Sequence, residues 1–159
     1  MRYVGAALAI ALVSTSTIAG DEKKLVGTYR LVERTSKDGT TVKHPPDVLG
    51  TMTFSKTQRS VIMRWASADG TPVSIAAIYR YTLSGGKYCE TEEYGVQTNL
   101  GAPGTTYDTP GTAPTCTAAL TDATGLSFDV PSERLRLQVT RDGFRATTPR
   151  WTDRWEKVK

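Results

Sequence analysis

The stretch LVGTYRLV, Leu25 to Val32, decides the fold. Tyr29 and Leu31 fall on one side of an extended chain, and Thr28, Arg30 and Val32 on the other. That is the period of a half-buried strand. Gly27 lets another segment approach where a side chain would block it. The segments downstream repeat the pattern, so this stretch reads as the first strand of a sheet.

Moving outward, Ser36-Lys37-Asp38-Gly39-Thr40 is a turn built on Asp-Gly. Lys43-His44-Pro45-Pro46-Asp47 reads as a loop at one rim, because its two prolines remove two backbone donors. Gly50 to Ser55 alternates again, with Met52 and Phe54 on one face, and Ser60 to Ala66 sets Val61, Met63 and Trp65 together. After a turn at Ser67-Ala68-Asp69-Gly70 comes the longest clean strand, Val73 to Leu83. There Ile75, Ala77, Tyr79, Tyr81 and Leu83 share a face. Gly85-Gly86 turns the chain into Lys87 to Val96. Later strands are Cys116 to Leu120, Leu126 to Val130, Leu135 to Thr140, Gly143 to Thr147 and Trp151 to Val158, with Asp142-Gly143 as a hairpin turn. Between them Gln97 to Pro114 is rich in Gly, Pro, Thr and Ala and nearly uncharged, as a lid or loop would be. Short strands joined by hairpin signals, with no amphipathic helix among them, predict an all-β fold. The expected form is an antiparallel up-and-down β-barrel of about 8–10 strands. Closure removes exposed strand edges and leaves an interior that holds one small ligand.

The N-terminus is of another kind. Met1-Arg2 is a short positive start, Val4 to Val13 is an uncharged apolar core, and Thr17-Ile18-Ala19 brings a small residue before a cut. Residues 1–19 therefore read as a secretory signal peptide, and residues 20–159 as one β-barrel domain. The apolar run is too short to remain as a spanning helix. No Cys stands near the cut to take a lipid, so no stable membrane anchor is expected and the mature chain belongs in the periplasm or outside the cell. Loss of Arg2 takes the formal net charge from +4 to +3. That is too mild for nucleic acid, and the basic residues are not interleaved with a stacking platform. Arg134, Arg136, Arg141, Arg145 and Arg150 alternate with apolar neighbours, as on a solvated strand face. Cys89 and Cys116, the only two cysteines, are expected to pair in an exported chain. Their link closes a loop worth roughly 3 kcal/mol in chain entropy. A metal site is disfavoured, since two thiols and one His do not complete a tetrahedral set.

The strand Gly27-Thr28-Tyr29-Arg30-Leu31-Val32 resembles the G-x-W strand that opens bacterial lipocalin-like domains and, more distantly, fatty-acid-binding proteins, with Tyr29 in place of Trp. Asp47 to Phe54 (DVLGTMTF) is similar to the second strand of that family, Tyr79 to Leu83 to a Tyr-containing middle strand, and Thr147-Thr148-Pro149 with Trp151 to Val158 (WTDRWEKV) to its closing strand. The resemblance implies a barrel whose first and last strands pair, with the first-strand aromatic covered by a base from the last. By spacing that base is Lys157, with Arg154 as the alternative. Where fatty-acid-binding proteins carry an Arg two residues before the closing aromatic, this chain carries Asp153, two before Trp155. That departure argues against a fatty-acid carboxylate.

No phosphate loop, HExxH, Cys-x-x-Cys or nucleophile elbow occurs in the sequence, and neither catalytic residues nor a cofactor are assigned. His44, the only histidine, sits in a loop with only Asp47 near it. The unusual feature is carboxylates on strands. If Tyr29 and Leu31 face inward, so does Glu33. If Tyr88 and Tyr94 face inward, so do Glu90 and Glu92, whereas the opposite parity points Glu93 inward with Cys89. Asp153 shares a face with Trp151 and Trp155. Such charges either sit at a wet rim, pair with Arg64, Arg80 or Lys157, or form the polar end of a cavity. The walls of that cavity are expected to be Met52, Phe54, Met63, Trp65, Tyr79, Tyr81 and Trp155. The function expected is binding of a small hydrophobic or aromatic ligand, neutral or positively charged. A barrel isomerase or cyclase and a filled barrel working through its surface are the alternatives, and interior volume discriminates among them.

Overall fold

Period-two alternation of apolar and polar side chains becomes strand after strand once each strand finds a neighbour. The computed structural model of the chain describes residues 25–159; the leader expected at residues 1–19 lies outside them. The strands are β1 (Gly27–Ser36), β2 (Val42–Lys43), β3 (Val48–Phe54), β4 (Gln58–Ala66), β5 (Pro72–Ser84), β6 (Lys87–Thr98), β7 (Thr105–Asp108), β8 (Thr115–Asp122), β9 (Gly125–Val130), β10 (Leu135–Val139), β11 (Gly143–Thr147) and β12 (Trp151–Lys157). A 3-10 turn, Pro131–Glu133, joins β9 to β10.

Ten of these strands form a closed antiparallel barrel in the order β1-β3-β4-β5-β6-β8-β9-β10-β11-β12, with β12 pairing back onto β1. The first and last strands meet with Tyr29 opposite Lys157 and Leu31 opposite Trp155. The two short strands stand outside this ring: β2 pairs with the end of β1, and β7 folds back on β6. Two hairpins turn on the same five-residue pattern, Ser36-x-Asp38-Gly39-Thr40 and Ser67-x-Asp69-Gly70-Thr71. In each, the Asp carboxylate accepts from the Ser hydroxyl and from the Thr backbone N–H. These bonds hold the Asp38 and Asp69 carboxyls down at about 2.

The closed end of the barrel is packed with rings. Tyr29 stands edge-on to Phe144 at 4.9 Å, Phe54 meets Tyr81 at 5.7 Å, and Tyr88 stacks on Phe128 at 4.3 Å. Each such pair adds about 0.5–1.5 kcal/mol beyond the area it buries. The Tyr29 hydroxyl donates to the Leu25 carbonyl at 2.8 Å, which seals this end. Lys157, and not Arg154, places its Nζ 5.7 Å from the Tyr29 ring. It does so by crossing Gly27, where a Cβ would collide with the Lys157 side chain. On the outer surface Arg134, Arg136, Arg141, Arg145 and Arg150 are all exposed.

The wall is uneven at one place. β6 pairs with β8 only over Lys87 to Glu90, and with β7 over Gly95 to Thr98. All of β6 pairs with β5 in the barrel wall, and its other edge borders β8 first and then carries a hairpin flap. The segment from Gln97 to Pro114 is therefore not strandless, since β7 lies within it. Cys89 and Cys116 face each other across β6 and β8 and are joined by a disulfide, just below the point where β8 leaves β6.

Candidate functional site

Above the ring-packed end lies a cavity of about 340 Å³, within the range of small-molecule sites. Its apolar wall comes from inward positions of β3 to β5 and β10 to β12, among them Met52, Met63, Ala77, Tyr79, Ala146 and Trp155. Of the expected wall residues, Met52, Met63, Tyr79 and Trp155 line this space. Phe54 and Tyr81 do not: they are consumed by ring packing at the closed end. Trp65 is displaced to the rim, where it borders an open cleft with Asp47 and Arg64. Gly50 makes room for the Trp155 indole, whose edge would lie 2.8 Å from a Cβ at that position.

Strand bulges decide which carboxylates face inward. β1 shifts register between Leu31 and Glu33. The extra residue reverses the parity, so Arg34 turns inward and Glu33 turns outward toward Arg154 at 3.9 Å. Glu33 is thus not part of the cavity. On β6 the bulge falls at Glu93: Tyr79 faces Glu92 and Ile78 faces Tyr94. Glu90 and Glu92 point inward with Tyr88, while Glu93 bonds Arg80 and Gln58 outside. Tyr94, expected inward, is 46% exposed for the same reason.

The buried charges are paired, though not with the partners expected. Asp153 receives two 2.7 Å hydrogen bonds from Arg34, whose guanidinium also lies over Trp65 at 5.0 Å. Arg59 is fully buried and bridges Glu90 at 3.0 Å and Glu133 at 2.8 Å, with its guanidinium 4.0 Å from the Tyr79 ring centre. Burial by itself would lower the Arg59 pKa, but its acidic neighbours, Glu133 foremost, more than offset this and hold the charge. Glu90 also accepts from the Tyr88 hydroxyl at 2.6 Å and from the Ser132 hydroxyl. Burial pushes the Tyr79 and Tyr88 phenols well above the usual tyrosine range. Neither Arg34 nor Arg59 was among the cations expected to make these pairs. Arg59 was legible: extending the alternation Val61, Met63 back by two residues puts it on the same inner face. Arg34 was not, because its direction depends on the bulge.

Glu92 differs from the others. It lines the cavity, its Oε1 is buried with no hydrogen-bond partner, and its pKa is raised, by burial first and then by Asp108 and Glu133. The flap brings Asp108 to the same wall, where Gln97 donates to it at 3.1 Å. His44 is exposed and lies 3.2 Å from the Val32 carbonyl, away from the cavity. Among the described residues, no three His, Cys, Asp or Glu side chains gather in a metal-binding group, and no helix is long and apolar enough to cross a membrane.

Fold and site together describe a closed antiparallel barrel with an interior cavity, an architecture consistent with a calycin-type barrel. Comparison with protein-family models, with curated proteins and with solved structures finds no match for this chain.

Proposed function

We propose that this chain is an exported, lipocalin-like protein that binds one small, mainly apolar or aromatic molecule inside its barrel. The observation that carries this reading is the cavity of about 340 Å³ above a solidly packed closed end. A barrel with no binding role tends to fill its interior with side chains. Here small and flexible residues, Ala77, Ala146, Met52 and Met63, leave the space open. A few polar groups at its edge would orient a ligand, the usual make-up of a small-molecule site. Export is supported by the leader-like residues 1–19 and by the disulfide, which persists in oxidising compartments. The lipocalin-like relationship is supported by the pairing of first and last strands and by Lys157 over Tyr29.

Titration with the neutral fluorophore N-phenyl-1-naphthylamine tests the binding reading. One saturable site is expected, and it should be lost in Ala77→Phe, which fills the cavity from the middle of β5. Absence of saturation, or equal binding by the folded Ala77→Phe protein, would reject the reading. Intact mass of protein recovered from the host tests export, with the mature chain expected to begin near residue 20.

A further inference from the structure

The charge on the cavity wall is out of balance. One cation, Arg34, stands among four carboxylates, Asp153, Glu92, Asp108 and Glu133, in a chain whose formal net charge is +4. Two of the four are neutralised within the protein, Asp153 by Arg34 and Glu133 by Arg59. Among the described residues, Glu92 and Asp108 have no ion-pair partner. Both converge on Gly95, where a Cβ would run into Glu92 Oε1 and lie 2.7 Å from Asp108 Oδ2. The absence of a side chain there is what lets the two carboxylates share one patch of wall.

Two buried polar atoms on this wall lack hydrogen-bond partners, and they are of opposite kinds. Glu92 Oε1 is an acceptor without a donor, and Trp155 Nε1 is a donor without an acceptor, on a side chain only 2% exposed. Buried polar atoms are rarely left unpaired, because each loses its water without compensation. Both residues border the same cavity, with Glu92 Oε1 tucked against Gly95 beside Asp108.

We infer that the barrel's ligand is an organic amine, with its ammonium on Glu92 and Asp108 and its apolar or aromatic body against the Met52–Met63–Ala77 wall. This rests on the ligand-binding reading above. An ammonium supplies the donors that Glu92 lacks and offsets the repulsion between the two carboxylates. A carboxylate ligand would add another negative charge beside them, in a setting where repulsion is stronger than in water. A neutral body without a donor would leave both carboxylates without a counter-charge.

The test uses three ligands on one ring system: 5-methoxytryptamine, 5-methoxytryptophol and 5-methoxyindole-3-acetate, which are cationic, neutral and anionic at pH 7. Each is titrated against bound N-phenyl-1-naphthylamine. The amine is expected to displace the fluorophore at a concentration at least about tenfold below that of the acid, the difference one charge-assisted hydrogen bond makes. That ratio should collapse in Glu92→Gln and shrink in Asp108→Asn. Equal or better displacement by the acid, no displacement by the amine, or a ratio unchanged in both variants overturns the inference while the cavity reading stands. Failure of the fluorophore to bind the wild-type protein overturns both.

Discussion

Tyr29 is held from three sides: rings of Phe54 and Phe144, the Lys157 ammonium, and the Leu25 carbonyl that accepts from its hydroxyl. Tyr29→Ala should therefore lower unfolding free energy by about 3–5 kcal/mol, as other large aromatic truncations do. Tyr29→Phe removes one hydrogen bond and should cost about 1 kcal/mol; urea unfolding of the two variants measures both. The Arg34–Asp153 pair behaves differently, since each partner is nearly buried. Arg34→Met leaves a buried carboxylate alone, at a cost of about 3–5 kcal/mol, whereas Arg34→Met with Asp153→Leu should recover most of that loss. Equal destabilisation by the single and double variants would contradict this account. Glu92 sets a pH dependence of the opposite sign to most carboxylates. Its folded pKa is raised, so the folded state binds a proton more readily than the unfolded chain, and stability falls as pH rises through that raised value. Glu92→Gln should raise the ligand-free melting temperature at pH 7 and have no effect below the ordinary carboxylate range. A thermal melt series across that interval checks it.

At the scale of elements, the disulfide and the flap are one device. The Cys89–Cys116 bond sits where β8 leaves β6 and β7 takes over as its neighbour. Above it, the Gly111 backbone N–H bonds the Glu92 carbonyl at 2.9 Å. Reduction should cost roughly 3 kcal/mol, and amide hydrogen exchange should quicken over residues 91–116 while β3, β4 and β12 stay protected. Uniform quickening would mean that the bond supports the whole barrel and not the flap. The repeated Ser-x-Asp-Gly-Thr turns act on the acid limb. Because Asp38 and Asp69 titrate at about 2 when folded, their contribution is full above the ordinary Asp value and is lost as pH falls toward 2. Asp38→Ala and Asp69→Ala should therefore lower the melting temperature at pH 7 and converge on the parent protein at pH 2.

For the whole molecule, closure is the controlling fact. With β12 on β1 the ring of ten strands closes without a free edge strand, which removes the ring's own template for pairing with another chain. The aromatic residues are not spread evenly through the interior. Tyr29, Phe54, Tyr81, Tyr88, Phe128 and Phe144 gather at one end and make it solid, while Tyr79 and Trp155 border the hollow. Ala77→Phe, which fills the hollow end, should abolish fluorophore binding while lowering the unfolding free energy by no more than overpacking costs, about 1–3 kcal/mol.

The sequence by itself determined the strand order, the inward face of most strands and the cysteine pair. Each of these is written locally: a period of two, Asp-Gly and Gly-Gly turns, and an even cysteine count in a chain with a leader-like start. The pattern of the closing strand narrowed the cation over Tyr29 to Lys157 or Arg154, and the structure places Lys157 there. For the carboxylates of β1 and β6, the tertiary structure alone decided which went inside. One extra residue after Leu31 and one at Glu93 reverse side-chain direction, and a bulge is fixed by pairing with a neighbour, not by the strand's own composition. It alone decided the ion pairs too, because Arg34 finds Asp153 across 119 positions and Arg59 finds Glu90 across 31. Partners that far apart in the chain are chosen by which walls of the barrel face each other. The cavity is of the same kind: whether Phe54, Tyr81 and Trp65 fill the space or leave it depends on where ten strands place them in depth, and alternation gives only the side.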